Sequence, residues 1–186
     1  GMKDASAPVS VQESAISAIS ATATGAEASF IPFFPQVVAM LRPLLLLVDE
    51  EHMNLRGRAI ECFGQMVIAV QADAFEPQLL ESIQHVVLGL QLDSCELQEY
   101  TYSFFCNIAK TFKGRFAPFL PELVPHLLEA ANISDGQIAG PIGDDAEGGL
   151  DSDSDSDGEG ERFVEVRVRT ALLGVKAGAI EALGYL

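Results

Sequence analysis

A three-residue signature, Phe-x-Pro, recurs at Phe30-Ile31-Pro32, Phe75-Glu76-Pro77 and Phe116-Ala117-Pro118, with its phenylalanines 45 and 41 residues apart. A fixed period of roughly 40–47 residues marks a row of stacked helical hairpins, in which each unit buries its apolar face against the next. Proline is tolerated in the first turn of a helix, where its missing N–H would have no partner anyway. Each signature is therefore expected to open a helix.

A second register lies between these landmarks. Val11-Gln12, Leu55-Arg56, Leu97-Gln98 and Val175-Lys176 align, each an aliphatic residue followed by a polar one. The fourth residue after the aliphatic is then Ala15, Ala59, Thr101 and Ala179, and the fifth is Ile16, Ile60, Tyr102 and Ile180. The eighth is Ile19, Phe63, Phe105 and Leu183, and the ninth is Ser20, Gly64, Cys106 and Gly184. Apolar residues at this spacing form one helical stripe, and small residues beside them let a neighbouring helix approach closely. Each unit thus has a first helix beginning at Phe-x-Pro and a second beginning at the aliphatic–polar pair. First helices are predicted near 31–48, 76–91 and 117–132, and second helices near 9–26, 55–72, 96–113 and 172–186. Asp4, Asp49 and Asp93 stand before second helices as turn formers. Pro43 and Pro125 fall inside first helices and are expected to kink them.

The fold class expected is all-α, a superhelix of HEAT-type hairpins. Residues 2–29 supply the second helix of one repeat, 30–74 and 75–115 form complete repeats, and 116–186 form a repeat enlarged by an acidic insertion at 134–170. The insertion shows in the spacing, because the aliphatic landmarks step by 44, then 42, then 78 residues. Residues 134–161 hold ten acids and neither Lys nor Arg. Such a segment buries too little apolar area to offset its ordering entropy, so it is expected to stay mobile unless bound. Its centre runs Asp151, Ser152, Asp153, Ser154, Asp155, Ser156, Asp157, Gly158, Glu159, Gly160, Glu161. Ser152, Ser154 and Ser156 each have an acid three residues on, the pattern that acid-directed kinases of the casein kinase 2 type accept. Phosphorylation there would add about −1.5 to −2 charges per serine. The plainer alternative is a solvated linker.

Function classes narrow from here. The net charge is −16, from 27 acids against 11 bases, which repels nucleic-acid phosphates and favours basic protein partners. Cys62, Cys95 and Cys106 are odd in number and scattered, unlike a disulfide framework or a zinc site. His52, His85 and His126 stand far from one another and from any cysteine in ligand-like spacing. There is no phosphate-binding glycine loop and no Gly-x-Ser-x-Gly elbow, and carboxylates in a mobile segment lack the fixed geometry of acid–base catalysis. No enzymatic activity, cofactor or metal is expected. No apolar run is long enough to span a membrane. Gly1 looks like a tag scar, and the pattern stops abruptly at both ends, as in a fragment of a longer protein.

Several stretches resemble the importin-β (karyopherin-β) family, most closely its importin 4 branch and then its importin 5 branch. They are Leu55-Arg56-Gly57-Arg58-Ala59-Ile60-Glu61-Cys62-Phe63-Gly64, the run from Leu97 through Tyr100 and Phe105 to Lys110, the stretch from Phe116 to Pro125, and Arg169-Thr170-Ala171-Leu172-Leu173 with Lys176-Ala177. The acid-rich insertion is similar too. Gln12 and Gln98 depart from the basic residue usual at that column, which Arg56 and Lys176 keep. The resemblance implies a nuclear import receptor, shuttling between cytoplasm and nucleus, that binds basic cargo such as histones or ribosomal proteins. It implies that second helices line an inner face for cargo and Ran-GTP, while first helices meet Phe-Gly nucleoporins outside. Glu61, Glu99 and Glu181, on second helices, are then candidate cargo contacts, as are Asp151, Asp153, Asp155, Asp157, Glu159 and Glu161. The alternative is a HEAT scaffold subunit outside transport, or an acidic histone-chaperone-like module.

Overall fold

The computed structural model describes residues 7–92, 94–132 and 173–185, and among these every regular element is helical. Helix α1 spans Val9–Ala26 and α2 spans Phe34–Leu41, running on as a 3-10 turn over Arg42–Leu46. Helix α3 spans Met53–Val87 but is broken at Gln71 into arms 53–70 and 72–87, and a 3-10 turn at Leu88–Gln91 follows. Helix α4 spans Cys95–Phe112, α5 spans Leu120–Ala131, and α6 covers 173–185. The first arm of α3, with α1, α4 and α6, supplies the second helices; α2, the second arm of α3 and α5 supply the first helices. The insertion at 134–170 lies outside the described residues.

Phe75-Glu76-Pro77 lies near the start of the second arm of α3, as expected, but the other two Phe-x-Pro landmarks act differently. Phe30 and Phe116 sit in 3-10 turns, and the α-helices begin four residues later, at Phe34-Pro35 and Leu120-Pro121, where the second proline occupies the first turn. The landmark phenylalanines serve instead as core anchors, with Phe30, Phe75 and Phe116 all buried. Phe75 gathers three other rings, with centroids 5.6 Å to Phe34, 6.4 Å to Phe63 and 6.3 Å to Phe112. It thereby joins both layers across two successive units. Pro43 marks the change from α to 3-10 geometry, since its nitrogen cannot donate along the α ladder. Pro125 lies inside α5 without ending it.

The α4 cap is Ser94, whose hydroxyl accepts from the Leu97 N–H at 3.3 Å. Asp4 and Asp93 lie outside the described residues, and Asp49 stands in the turn before α3, its carbonyl accepting from the His52 N–H at 3.1 Å and its carboxylate pairing with the His52 ring. Ile16, Ile60 and Tyr102 are buried as one column, but Ile180 is 53% exposed. Helix α6 packs on α4 through Gly174, Val175, Gly178 and Ala179, which turns Ile180 away from that contact.

Two features recur that patterns of side-chain type do not disclose. Glu27, Gln71 and Lys113 have φ of 48°, 65° and 49°, the non-glycine positive values among the described residues. Each stands sixteen residues after its column aliphatic, Val11, Leu55 or Leu97. The chain reverses there from a second helix into the next unit, and it does so at a side-chain-bearing residue. Arg56, 1% exposed, donates from Nη1 to the Leu47 carbonyl at 2.7 Å and from Nη2 to the His85 carbonyl at 3.1 Å. It therefore ties the ends of two successive first helices, supplying donors to carbonyls that helix termini leave open.

Candidate binding face of the second helices

The second helices stand side by side in the order α1, α3 first arm, α4, α6, and missing side chains set their separation. A Cβ at Gly57 would lie 2.5 Å from Tyr100 Cδ2, and one at Gly64 would lie 3.0 Å from Asn107 Nδ2 and 3.5 Å from the Phe104 Cα. Only glycine admits so close an approach of the α3 arm to α4. Between α1 and α3 the contact is polar. Ser17, Ser20, Thr24, Arg58, Glu61 and Gln65 line a groove, with Thr24 Oγ1 donating to Gln65 Oε1 at 3.4 Å.

Charge on this face is organised around two tyrosines. Arg58 donates from Nη1 to Glu61 Oε2 at 3.0 Å, and its guanidinium carbon lies 5.5 Å from the Tyr100 ring centroid. The hydrogen bond to Glu61 raises the Arg58 pKa. Burial pushes the Tyr100 hydroxyl up; Arg58 opposes this, while Glu61, Glu96 and Glu99 add to it. Glu61 and Glu96 both act on Arg58, so two acids face that base. At the α4–α6 junction, Lys110 Nζ lies 3.3 Å from Glu181 Oε1 and 4.1 Å from the Tyr185 ring centroid.

Of the predicted contact residues, Glu61 and Glu181 are on the surface but already engaged by Arg58 and Lys110. Glu99 is exposed, and its carboxylate lies against Gly174 of α6. Asp151, Asp153, Asp155, Asp157, Glu159, Glu161 and the candidate phospho-acceptors Ser152, Ser154 and Ser156 lie outside the described residues. Sequence reasoning missed Tyr100 and Tyr185. Tyr100 shares its column with Ser14, Arg58 and Gly178, so the repeat pattern carries no sign of an aromatic there.

Reactive chemistry finds little footing on this scaffold. Burial pushes the Cys62 thiol up to about 12 and the Cys106 thiol up to about 11, so both are protonated at neutral pH. Among the described residues no group of His, Cys, Asp or Glu is placed to hold a metal ion, and no helix is long and apolar enough to cross a membrane.

No family model matches the chain. Over its whole length it is 30% identical to the probable importin subunit beta-4 of Schizosaccharomyces pombe, of which it covers 18%. It is 32% identical over 127 residues to human Importin-4, a stretch that is 67% of this chain and 12% of that protein. The importin subunit beta-3 of Saccharomyces cerevisiae is 26% identical over 93% of the chain and 16% of that relative. The chain belongs to the importin-β family. A crystal structure of Kap121p bound to Ste12p superposes with a TM-score of 0.68, over 97% of this chain and 17% of that one, at 23% identity. That likeness shows the fold, a HEAT-repeat solenoid. The chain spans less than a fifth of the length of these importin relatives, and those relatives are importins, not enzymes.

Proposed function

We propose that the chain is part of a nuclear import receptor that binds basic protein cargo through its second-helix face and its acidic segment. The observation that carries this is the acid on the second-helix face near Tyr100, where Glu61 and Glu96 act on Arg58 and Glu99 stands exposed towards α6, in a family whose members are importins. The Kap121p structure has Ste12p bound, which supports a peptide-binding role for such a solenoid. Histones and ribosomal proteins have the basic chemistry this face would take. Ran-GTP is proposed to control release, and Phe-Gly nucleoporins to dock on the first-helix layer, where Met40, Leu80 and Leu128 stand exposed. Shuttling between cytoplasm and nucleus follows from such a role.

The acidic segment would accelerate encounter with cargo, because long-range attraction acts on association and fades with salt. Phosphorylation at Ser152, Ser154 and Ser156 would strengthen it. The decisive experiment measures binding of a histone-tail peptide to the full-length receptor carrying Glu61→Lys and Glu99→Lys. Weakened binding, most marked at low salt, supports the cargo face; unchanged affinity at low salt removes these two acids from it. Deleting residues 144–161 should slow association in stopped flow, and equal on-rates across a salt series would make the segment an inert linker.

A further inference from the structure

The second-helix face carries two pairings of one kind, with the glutamate on the base's own helix in the first and on the tyrosine's helix in the second. A base on one second helix lies over a tyrosine of the next and pairs with a glutamate: Arg58 with Tyr100 and Glu61, Lys110 with Tyr185 and Glu181. A carboxylate to pair with and an aromatic face to lie against are what a receptor for a lysine or arginine side chain requires. In both places a cation is already seated, and it belongs to the chain itself.

We propose, resting on the cargo-face reading above, that these are two subsites for basic cargo side chains, held in the free protein by Arg58 and Lys110 as internal competitors. Cargo binding displaces the two bases, which swing into solvent, and puts a cargo lysine or arginine in their place. The pairs suit displacement because they are only partly shielded, with Arg58 and Glu61 41% and 36% exposed, and Lys110 and Glu181 37% and 58%. Exposed ion pairs and exposed cation–π contacts each shift an equilibrium by only about two- to fivefold. Both residues have long stems able to reach water once released.

The two subsites differ in charge. At Tyr100 the carboxylates of Glu61, 3.0 Å from Arg58, and Glu96 outnumber Arg58, so net attraction for an incoming cation persists while the internal base is seated. At Tyr185 one glutamate faces Lys110, and Lys113 lines the same hollow. The Tyr100 subsite is therefore the stronger.

The test uses the full-length receptor and a fluorescein-labelled Lys/Arg-rich peptide, with anisotropy at low and physiological salt. Arg58→Gln should tighten binding by about three- to tenfold, by removing a competitor of the strength just given, and Lys110→Gln by less. Arg42→Gln removes the same charge on the first-helix layer, where it pairs with Glu81, and should change affinity less than about twofold. Adding Tyr100→Leu to Arg58→Gln should erase the gain, whereas Tyr100→Phe, which keeps the ring, should preserve it. Equal effects of Arg58→Gln and Arg42→Gln, or a gain that survives Tyr100→Leu, would overturn the proposal while leaving the cargo face standing. Wild-type binding that is unaffected by Glu61→Lys with Glu99→Lys would overturn both.

Discussion

Replacing Lys113 by glycine should stabilise this protein, although glycine inside a helix usually weakens one. Lys113 ends α4 with φ 49° and ψ −131°, and its amide donates to the Ala109 carbonyl. A side chain there meets the carbonyl of its own backbone, at a cost of about 1–3 kcal/mol for an L-residue other than glycine. Glycine removes that cost but loses about 0.5–1 kcal/mol more backbone entropy on folding. The difference predicts a net gain of roughly 0.5–1.5 kcal/mol, and a rise of about 2–4 °C in Tm per kcal/mol for a chain of this size. Lys113→Ala is the control: it removes the same charge and stem but keeps the Cβ, so it should gain nothing. Urea unfolding followed by far-UV circular dichroism reads both. Glu27→Gly should behave alike, because Glu27, with φ 48° and ψ −132°, has nearly the same backbone geometry at the same place in its unit. Lys113→Gly no more stable than Lys113→Ala would refute the idea that backbone strain sits at these junctions.

Three further outcomes follow from the packing and the thiol environments. Phe63→Ala should lose about 3–5 kcal/mol, since Phe63 is 1% exposed and meets Phe75 edge to face; a loss below about 1 kcal/mol in chemical denaturation would place it outside the core. Gly57→Ala should cost about 1–3 kcal/mol by forcing α3 and α4 apart at the Tyr100 ring, and Tyr100→Ala in the same chain should recover part of that loss. Iodoacetamide at pH 8 should modify half-buried Cys95 first, with Cys62 and Cys106 reacting appreciably only on unfolding. As pH rises toward about 11 and 12, their thiolate fractions grow tenfold per unit; fast labelling of either at pH 8 in the folded protein would contradict the burial that holds them protonated.

The period of about 42 residues and the apolar stripe determined the helical class, the alternation of two helix types, and most of the core. They did so because each hairpin solves the same burial problem locally: Ile60, Phe63, Tyr102 and Phe105 recur at fixed offsets and are all buried. The excess of acid was equally legible, since charge is a property of composition. The tertiary structure alone decided which acids already have partners. Glu61 is held within its own helix, but the Tyr100 ring that completes its site comes from another helix, and the base on Glu181 stands 71 residues away. No local pattern encodes contacts between neighbouring helices of that kind. It also decided that the Phe-x-Pro phenylalanines are core anchors, because Phe75 is placed by the rings of Phe34, Phe63 and Phe112. The positive φ at Glu27, Gln71 and Lys113 belongs to the same class: three unlike side chains share a positive φ, two of them with ψ of −132° and −131° and Gln71 with ψ 170°, because the stacking of units imposes the turn, whichever residue occupies it.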